Sequence, residues 1–492
     1  MGTRIDSLSI LFGLQNTTNA LNASALKLST GKRINSAADD PSGLVISNAM
    51  QSQIDSYSTA IDDAQSATNL LKTATDASGQ ITNLLNVINQ NVVQAQSNLS
   101  LNPSAVAANQ AAIQSAIAAI NNIAGTTSYG TKNLLDGSAG TSAAVTNGAL
   151  VGGISLGGQF AGGAIQAGSI TLSVTTAATA AQATGSATYA TVNSTLATVN
   201  GGTTGAGGTV NVNGQSVTVT GSDTVQTLIS KINGVSSSTG VSAAAVSGNG
   251  STSIQLTQAT TGSNYKVSES ESATLIFGAS GASVSGGNAV ATVTAQTLVN
   301  GAVTAQTVTF TAGRSSTDSG LRLTDPYGNS ILLTPGGNNT GTVNQKVGTA
   351  TSNPLSIQLG IGAGNTGSVS LQNLSASSLG NSVVAGQTLA SIDVTSVAGA
   401  ANASLIVGQA LNQVSFSAAQ VGGFQKNVLG SAINVFQSAV SNLSASVSNI
   451  VDLDVAKETT NYNRLQQQQS TASALLQYSF SQQSSLYRLL GL

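Results

Sequence analysis

Two rhythms of apolar residues run along this chain, and the change from one to the other divides it. Near the start, Leu11, Leu14, Thr18, Leu21, Ala25 and Leu28 recur at alternating steps of three and four, which places one stripe along a helix. Ser29-Thr30-Gly31 supplies a C-terminal stop, with Gly31 free to take the left-handed turn that ends a helix. Asp39-Asp40-Pro41 puts an acidic cap ahead of a proline at the first helical position, so a second helix is predicted to begin there. Its stripe runs through Ile54, Tyr57, Ile61, Ala64, Thr68, Leu71, Thr75, Ser78, Ile81 or Thr82, Leu85, Ile88 and Val92. The stripe predicts a rod of roughly 60 Å at 1.5 Å per residue. After Leu101-Asn102-Pro103 a third helix is expected, with Ile113, Ile117, Ile120 and Ala124 on one side and Gly125 closing it.

The helical period is then lost. No charged residue stands between Asp136 and Asp223, and Ala, Gly, Thr, Ser and Val dominate. Ser169 to Thr175 and Thr209 to Thr220 alternate apolar with polar residues, and Asn213-Gly214 between two alternating runs predicts a two-residue hairpin. Thr224 to Ile232 reads as a short helix. Ser253 to Thr257, Lys266 to Ser268, Thr307 to Thr311, Ser330 to Thr334 and Ser368 to Gln372 read as strands, and segment 174–208 as partly loose.

From about residue 395 the three-four beat returns with Leu411, Val414, Ala418, Val421, Gln425, Val428, Ala432, Val435 and Ala439. The last segment carries Tyr462, Leu465, Gln469, Ala472, Leu476, Phe480, Gln483, Tyr487 and Leu490, with one doubled step of four like a coiled-coil stutter. The fold class predicted is α+β: a long antiparallel helical hairpin or coiled-coil shaft formed by both termini, with a β-rich region inserted in the middle. The expected boundaries are 1–42 and 455–492 for terminal helices and 43–172 and 395–454 for the shaft. The β-rich region then spans 173–394, with a small repeat-like module at about 208–268.

Composition narrows the chemistry. The 492 residues contain no Cys, His or Trp, which removes disulfides, zinc sites built on thiolate or imidazole, and every scheme that needs an imidazole base. Lys plus Arg number 15 against 17 Asp plus Glu, so no electrostatic footprint for nucleic acid or an anionic membrane is present. No apolar run reaches the roughly 18 residues that would span a bilayer. The first residues, MGTRIDSLSILFGLQNTT, carry one basic residue and a broken apolar stretch, and do not read as a cleavable secretory signal.

A helix near 30 residues long with few salt-bridge pairs is marginal alone and needs a partner surface. One such stripe suits an intramolecular bundle. Stripes at both ends of every copy suit helices that pack against identical neighbours, and a heterologous contact that does not close makes a filament.

These same residues carry a family resemblance. The run LSTGKRINSAADDPSGLVIS, Leu28 to Ser47, resembles the signature of bacterial flagellin between two N-terminal helices, with Gly31, Asp39, Asp40 and Pro41 forming its turn. INNIAGTTSYGTKNLLDGS, Ile120 to Ser138, is similar to the stretch ending the family's third helix, although Tyr129-Gly130 lacks the usual Asn. VGGFQKNVL, Val421 to Leu429, and IVDLDVAKETTNYNRLQQQQ, Ile450 to Gln469, resemble the C-terminal motifs, so the likeness covers about 1–140 and 390–492. In the middle, Gly208 to Asn233 looks like a small repeat module common in flagellins and hook-associated proteins.

The resemblance implies a structural filament subunit, exported unfolded through the flagellar type III apparatus without a cleaved signal, and located outside the cell in the flagellum. Its implied partners are itself, an export chaperone, the cap and the hook-junction proteins, with no cofactor, metal, nucleic acid or membrane. Leu11, Leu14, Leu21, Leu28, Leu465, Leu476, Phe480 and Leu490 are the candidate self-assembly residues of the inner helices. Ile54, Tyr57, Ile61, Leu71, Leu85, Ile88, Leu411, Val414, Val421 and Val428 are the candidate shaft-packing residues. The family segment read by the vertebrate toll-like innate receptor usually carries two Arg and a Glu. Val87, Asn89 and Gln90 stand in this chain's version, so weak stimulation is expected. The near alternatives are a hook–filament junction protein, which usually has a shorter middle, and a filament subunit whose outer region acts as an adhesin.

Other motifs are set aside on context. Gly362, Gly364 and Gly367 form a GxGxxG, but SVSLQ follows, alternating like a strand instead of opening a helix. Gly31-Lys32 lacks the rest of a phosphate-binding loop, and Asp39-Asp40 and Asp62-Asp63 read as a cap and a solvated helix face. A flagellin-embedded metalloprotease needs His-Glu-x-x-His. Few aromatics in 173–394 argue against a sugar-binding platform, so a spacer or an outer-domain self-contact is the expected role there. Asn193-Ser194-Thr195 is an N-linked acceptor by pattern only.

Overall fold

The computed structural model describes residues 2–198, 208–248, 250–272, 283–299, 302–362 and 364–489. The fold is α+β. Helices α1 (Gly2–Thr30), α2 (Pro41–Asn98) and α3 (Pro103–Thr126) precede a long β-rich stretch that contains α4 (Val225–Gly234) and α5 (Ser236–Thr239). Helices α6 (Val397–Phe424), α7 (Gly430–Val451) and α8 (Val455–Leu489) follow it. Two units form: Met1–Ala67 with Gln358–Thr366 and Asn427–Leu492, and Thr68–Ile357 with Gly367–Lys426.

In the first unit the predicted stops and starts are where the sequence puts them. α1 ends at Thr30 and Gly31 turns left-handed at φ 68°. α2 starts at Pro41, and its 58 residues give about 87 Å at 1.5 Å per residue, longer than the stripe alone indicated. α1 and α8 pack against each other. Ser24 reaches Glu458 and Thr18 reaches Gln469, so the two run antiparallel. α2 buries Ile54, Ala60, Ala64 and Ala67 in this unit.

The C-terminal stripe needs a correction. Its expected continuation fails at Val435, which is 63% exposed while Phe436 is buried; Ala432 and Ala439 are half-buried. The cause is a π-helical turn at Gln425–Leu429 joining α6 to α7. Its wider turn holds an extra residue and slides the stripe by one position, so Leu429 is buried where Val428 was expected and is only half-buried. Tyr57 of α2 takes up the displaced stripe, its ring 5.6 Å from that of Phe436.

In the second unit α2 continues with Leu71, Ala74, Ile81, Leu85, Ile88, Val92 and Ala95 at 0–1% exposure. Gln96 bonds the Ala400 carbonyl of α6 and Gln425 that of Thr68. α3 runs one residue past Gly125 and is capped by Thr127, whose N–H bonds the Ile123 carbonyl. The largest sheet has the order Thr141–Val145, Gln345–Ser352, Gly168–Thr176, Val290–Val299, Ala302–Ala312, Arg322–Thr324, Ser330–Leu333, Val151–Ser155. Its core holds Phe160 and Phe310, ring centroids 6.1 Å apart, with Leu172, Val293 and Ile331. A second core gathers Tyr189, Leu228, Ile232 and Ile254 around α4. Asn213 and Gly214, at φ 47° and 86°, make the predicted hairpin between Gly208–Val212 and Gln215–Val219. Segment 174–184 is more regular than expected, with the strand Ala180–Thr184 paired to Ser251–Thr261; residues 199–207 lie outside the described ones. After Gly362 and Gly364 comes the strand Thr366–Val369, not a helix.

Candidate self-assembly surface

The terminal helices meet at a polar double turn. Between α1 and α2, the Asp39 carboxylate accepts N–H bonds from Asn35 (3.1 Å) and Ser36 (2.9 Å) and the Ser36 hydroxyl (3.1 Å). These bonds, led by the Ser36 N–H, hold its pKa below the usual carboxylate value. Asp40 caps α2, accepting from the Gly43 N–H at 2.9 Å and the Ser42 hydroxyl at 2.9 Å, and the Gly43 bond leads in lowering its pKa. A Cβ on Gly43 would sit 2.5 Å from an Asp40 oxygen and 2.8 Å from buried Ile34, so a larger residue here would force the capping carboxylate or the Ile34 side chain to move.

This turn pairs with the one between α7 and α8. Arg33 N–H donates to the Val451 carbonyl (2.6 Å), Leu453 N–H donates to the Gly31 carbonyl (3.0 Å), and Lys32 bridges Asp452 antiparallel. Asp454 caps α8 through the Lys457 N–H at 3.0 Å. One turn on, Glu458 accepts from the Ser24 hydroxyl at 2.5 Å, the main cause of its lowered pKa. The sequence carried a readable signal for the Asp454 cap, an acidic residue just before a helical run, but none for Arg33, Ile34 or the Ser24–Glu458 contact.

Beyond this junction the α1–α8 pair has little core. Among the described residues of the two helices only Ser24 and Leu465 are buried. Leu14, Leu21, Leu28 and Leu476 are half-buried, and Leu11 and Phe480 are 49% and 55% exposed. Leu490 lies outside the described residues. Leu8, Phe12, Leu26, Leu475 and Tyr478 add further exposed apolar surface that the stripe reading had not singled out. Among the shaft candidates, Ile54, Leu71, Leu85, Ile88, Val414 and Val421 are buried, and Tyr57, Ile61, Leu411 and Val428 half-buried.

Comparison with known proteins falls on the same segments. A family model described as the bacterial flagellin N-terminal helical region matches residues 2–140, and one described as the bacterial flagellin C-terminal helical region matches residues 405–490. B-type flagellin of Pseudomonas aeruginosa is 40% identical over 147 residues, covering 29% of this chain and 29% of the relative. Polar flagellin F of Vibrio parahaemolyticus is 35% identical over 147 residues, covering 29% and 38%. The chain thus spans about a third of the length of the curated relatives it matches. Among solved structures, FliC from Burkholderia pseudomallei overlaps 73% of this chain and 99% of its own, at 18% identity and a TM-score of 0.26. The D2–D3 domains of the Escherichia coli flagellar cap protein FliD overlap 43% and 98%, at 19% identity and a TM-score of 0.26. Overlaps at such scores carry no argument about the fold. At both ends, over residues 2–140 and 405–490, this chain matches the helical regions of the bacterial flagellin family.

Proposed function

We propose that the chain is the structural subunit of a helical flagellar filament, its terminal helices completing their folding when neighbouring copies cover them. The single observation that carries this reading is the imbalance on the α1–α8 pair: among the described residues of these helices, 29 and 35 residues long, one apolar side chain is buried while eight large apolar side chains stand about half exposed or more. A pair so poorly covered is marginal in water, and polymerisation supplies the missing partner surface. The role is structural and not catalytic.

On this reading the chain leaves the cell through the flagellar export route without a cleaved signal and works outside it. Residues 1–42 and 455–492 line the inner part of the polymer, 43–172 and 395–454 form its shaft, and 173–394 faces solvent. An export chaperone, the cap and the hook-junction proteins are its transient partners. The relatives' names favour the filament over a junction protein, and nothing in the β-rich region favours an adhesin.

The test is negative-stain microscopy of purified chain after salting, beside a version trimmed of residues 1–30 and 460–492. Long tubes from the full chain alone are expected; tubes from both, or from neither, overturn the proposal.

A further inference from the structure

Six Asn-Gly pairs occur in the chain, at Asn147, Asn200, Asn213, Asn233, Asn249 and Asn300. Such a pair carries intrinsic chemistry. Glycine has no Cβ to shield its backbone nitrogen, so that nitrogen can approach the Cγ of the preceding carboxamide. Reaction needs the two atoms held about 3–3.5 Å apart in line for attack. The pairs at Asn200, Asn249 and Asn300 involve residues outside the described ones. Two of the others are pinned. Asn213 Oδ1 accepts the Ser268 N–H at 2.8 Å, and its Nδ2 donates to the Thr239 and Lys266 carbonyls at 2.9 and 3.0 Å. Asn233 Oδ1 accepts the Ala243 N–H at 2.7 Å, and its Nδ2 donates to the Ala243 carbonyl at 3.0 Å. Gly234 is the last residue of α4, where its N–H serves the helix. Each side chain must give up two or three bonds before its Cγ can turn toward the glycine nitrogen, which should slow the reaction by about tenfold or more.

Asn147-Gly148 lacks these restraints. It lies in the turn between the strands Thr141–Val145 and Val151–Ser155. The main chain there is anchored: the Thr146 N–H bonds the Val347 carbonyl at 2.9 Å, and the Asn147 carbonyl accepts the Leu150 and Val151 N–H groups at 3.2 and 3.1 Å. Among the described residues, the Asn147 carboxamide and the Gly148 N–H have no hydrogen-bond partner. Gly148 is exposed, and a Cβ placed on it would meet no atom within 4 Å. Solvent therefore reaches the N–H, and the carboxamide can rotate. Turning this peptide for attack costs the two long bonds to its carbonyl, whereas Asn213 and Asn233 must release side-chain bonds as well as those of a hairpin and a helix.

We propose that Asn147 is a site of spontaneous deamidation, selected by the fold over Asn213 and Asn233. Solvent base takes the Gly148 N–H proton and the nitrogen attacks Asn147 Cγ. The new C–N bond closes a five-membered imide, and the Cγ–Nδ2 bond breaks to release ammonia, which leaves with a proton returned by the solvent. Water then opens either C–N bond of the imide, leaving an aspartyl or an isoaspartyl residue at position 147. Water is the co-reactant, and nothing is oxidised or reduced. Either product is the first charge in the stretch between Asp136 and Asp223. The isoaspartyl form also adds a methylene to the main chain between two strands that stand at opposite ends of the large sheet's order. The chemistry needs no partner chain and is independent of the filament reading.

Full-length chain is aged in mildly alkaline buffer, both folded and in guanidinium chloride, and samples are digested at acid pH to halt the reaction. Peptide mass spectrometry then gives the conversion rate at Asn147, Asn213 and Asn233. In the folded chain Asn147 should convert at least tenfold faster than either of the others. In guanidinium chloride the three rates should fall within about threefold of one another, because each is then an unrestrained Asn-Gly pair. Gly148→Ala keeps the fold, since the added methyl meets open space and no left-handed φ is required there. It should slow conversion at Asn147 at least fivefold and leave Asn213 and Asn233 unchanged. A folded lead below tenfold, a lead above threefold in guanidinium chloride, or a Gly148→Ala chain reacting at the parent rate each overturns the assignment.

Discussion

Arg33 and Ile450 lie 417 residues apart, yet the Arg33 guanidinium donates two hydrogen bonds to the Ile450 carbonyl, from Nη2 at 2.6 Å and from Nε at 3.2 Å. That carbonyl belongs to the last turn of α7, where no intrahelical N–H is left to bond it. Arg33 thereby caps a helix from the opposite end of the sequence and fixes where the terminal helices meet. Arg33→Ala should lower stability by about 0.5–1 kcal/mol, below the usual range for a charge-assisted bond because the side chain is exposed. Arg33→Lys should recover only part of this, since a lysine cannot place two donors in one plane. Urea unfolding of the full chain followed by circular dichroism measures both; equal stability of all three chains would remove Arg33 from the junction.

The π-turn at Gln425–Leu429 makes a sharper prediction. Deleting Asn427 removes the extra residue, so the turn should become plain α-helix with Phe436 still on the buried stripe. The Tyr57–Phe436 contact should then be kept. The deletion should cost less than Phe436→Ala, which is expected to cost roughly 3 kcal/mol as a large-to-small change at a buried site. Tyrosine near-ultraviolet dichroism reports the ring contact directly. A deletion as damaging as Phe436→Ala, with the ring signal lost, would mean that the extra residue does not set the phase.

Local rules made the helices and hairpins legible, because period, caps and the Asn213-Gly214 turn are written in adjacent residues. The π-turn was not. It changes the phase of a stripe by one residue without changing its composition, and VGGFQKNVLG continues an apparent three-four beat through Gln425 and Val428. The strand order of the large sheet was also hidden, since Gln345–Ser352 inserts between Thr141–Val145 and Gly168–Thr176, a pairing no local pattern encodes. For the assembly surface, Leu11 and Phe480 could be placed on stripes, but their exposure could not be read until α1 was seen to meet α8 mainly through Ser24, Thr18 and Leu465.

Acid should loosen the junction. Asp39, Asp40 and Glu458 are all held below their ordinary pKa values by hydrogen bonds to their ionised forms. A group with a lowered folded-state pKa contributes its full stabilisation above the unfolded value, about 4 for carboxylates, and loses it as pH falls through the folded value. Stability should therefore be flat in this respect near neutrality and fall below about pH 4. Thermal melts between neutrality and strong acid should show a shallower acid slope for Asp39→Asn with Asp40→Asn than for the parent. An unchanged slope would place the acid-labile groups elsewhere.

In the second unit, Arg322 on the sheet donates to Asp318 Oδ1 at 2.5 Å and to Gln409 Oε1 of α6 at 2.5 Å, with both charged residues buried. The Arg322 Nε–H has no partner, so the guanidinium is already incompletely satisfied and depends on the contacts it keeps. Removing one member of a buried pair strands the other charge, whereas replacing both by apolar groups avoids that penalty. Asp318→Ala should accordingly cost about 3–5 kcal/mol, and the double change Asp318→Leu with Arg322→Met distinctly less. Gln409→Ala, which removes a neutral acceptor, should fall between the parent and Asp318→Ala. Denaturant titration of the full-length chains ranks the four; a double variant as damaged as Asp318→Ala would show that shape, and not the stranded charge, governs this junction between sheet and helix.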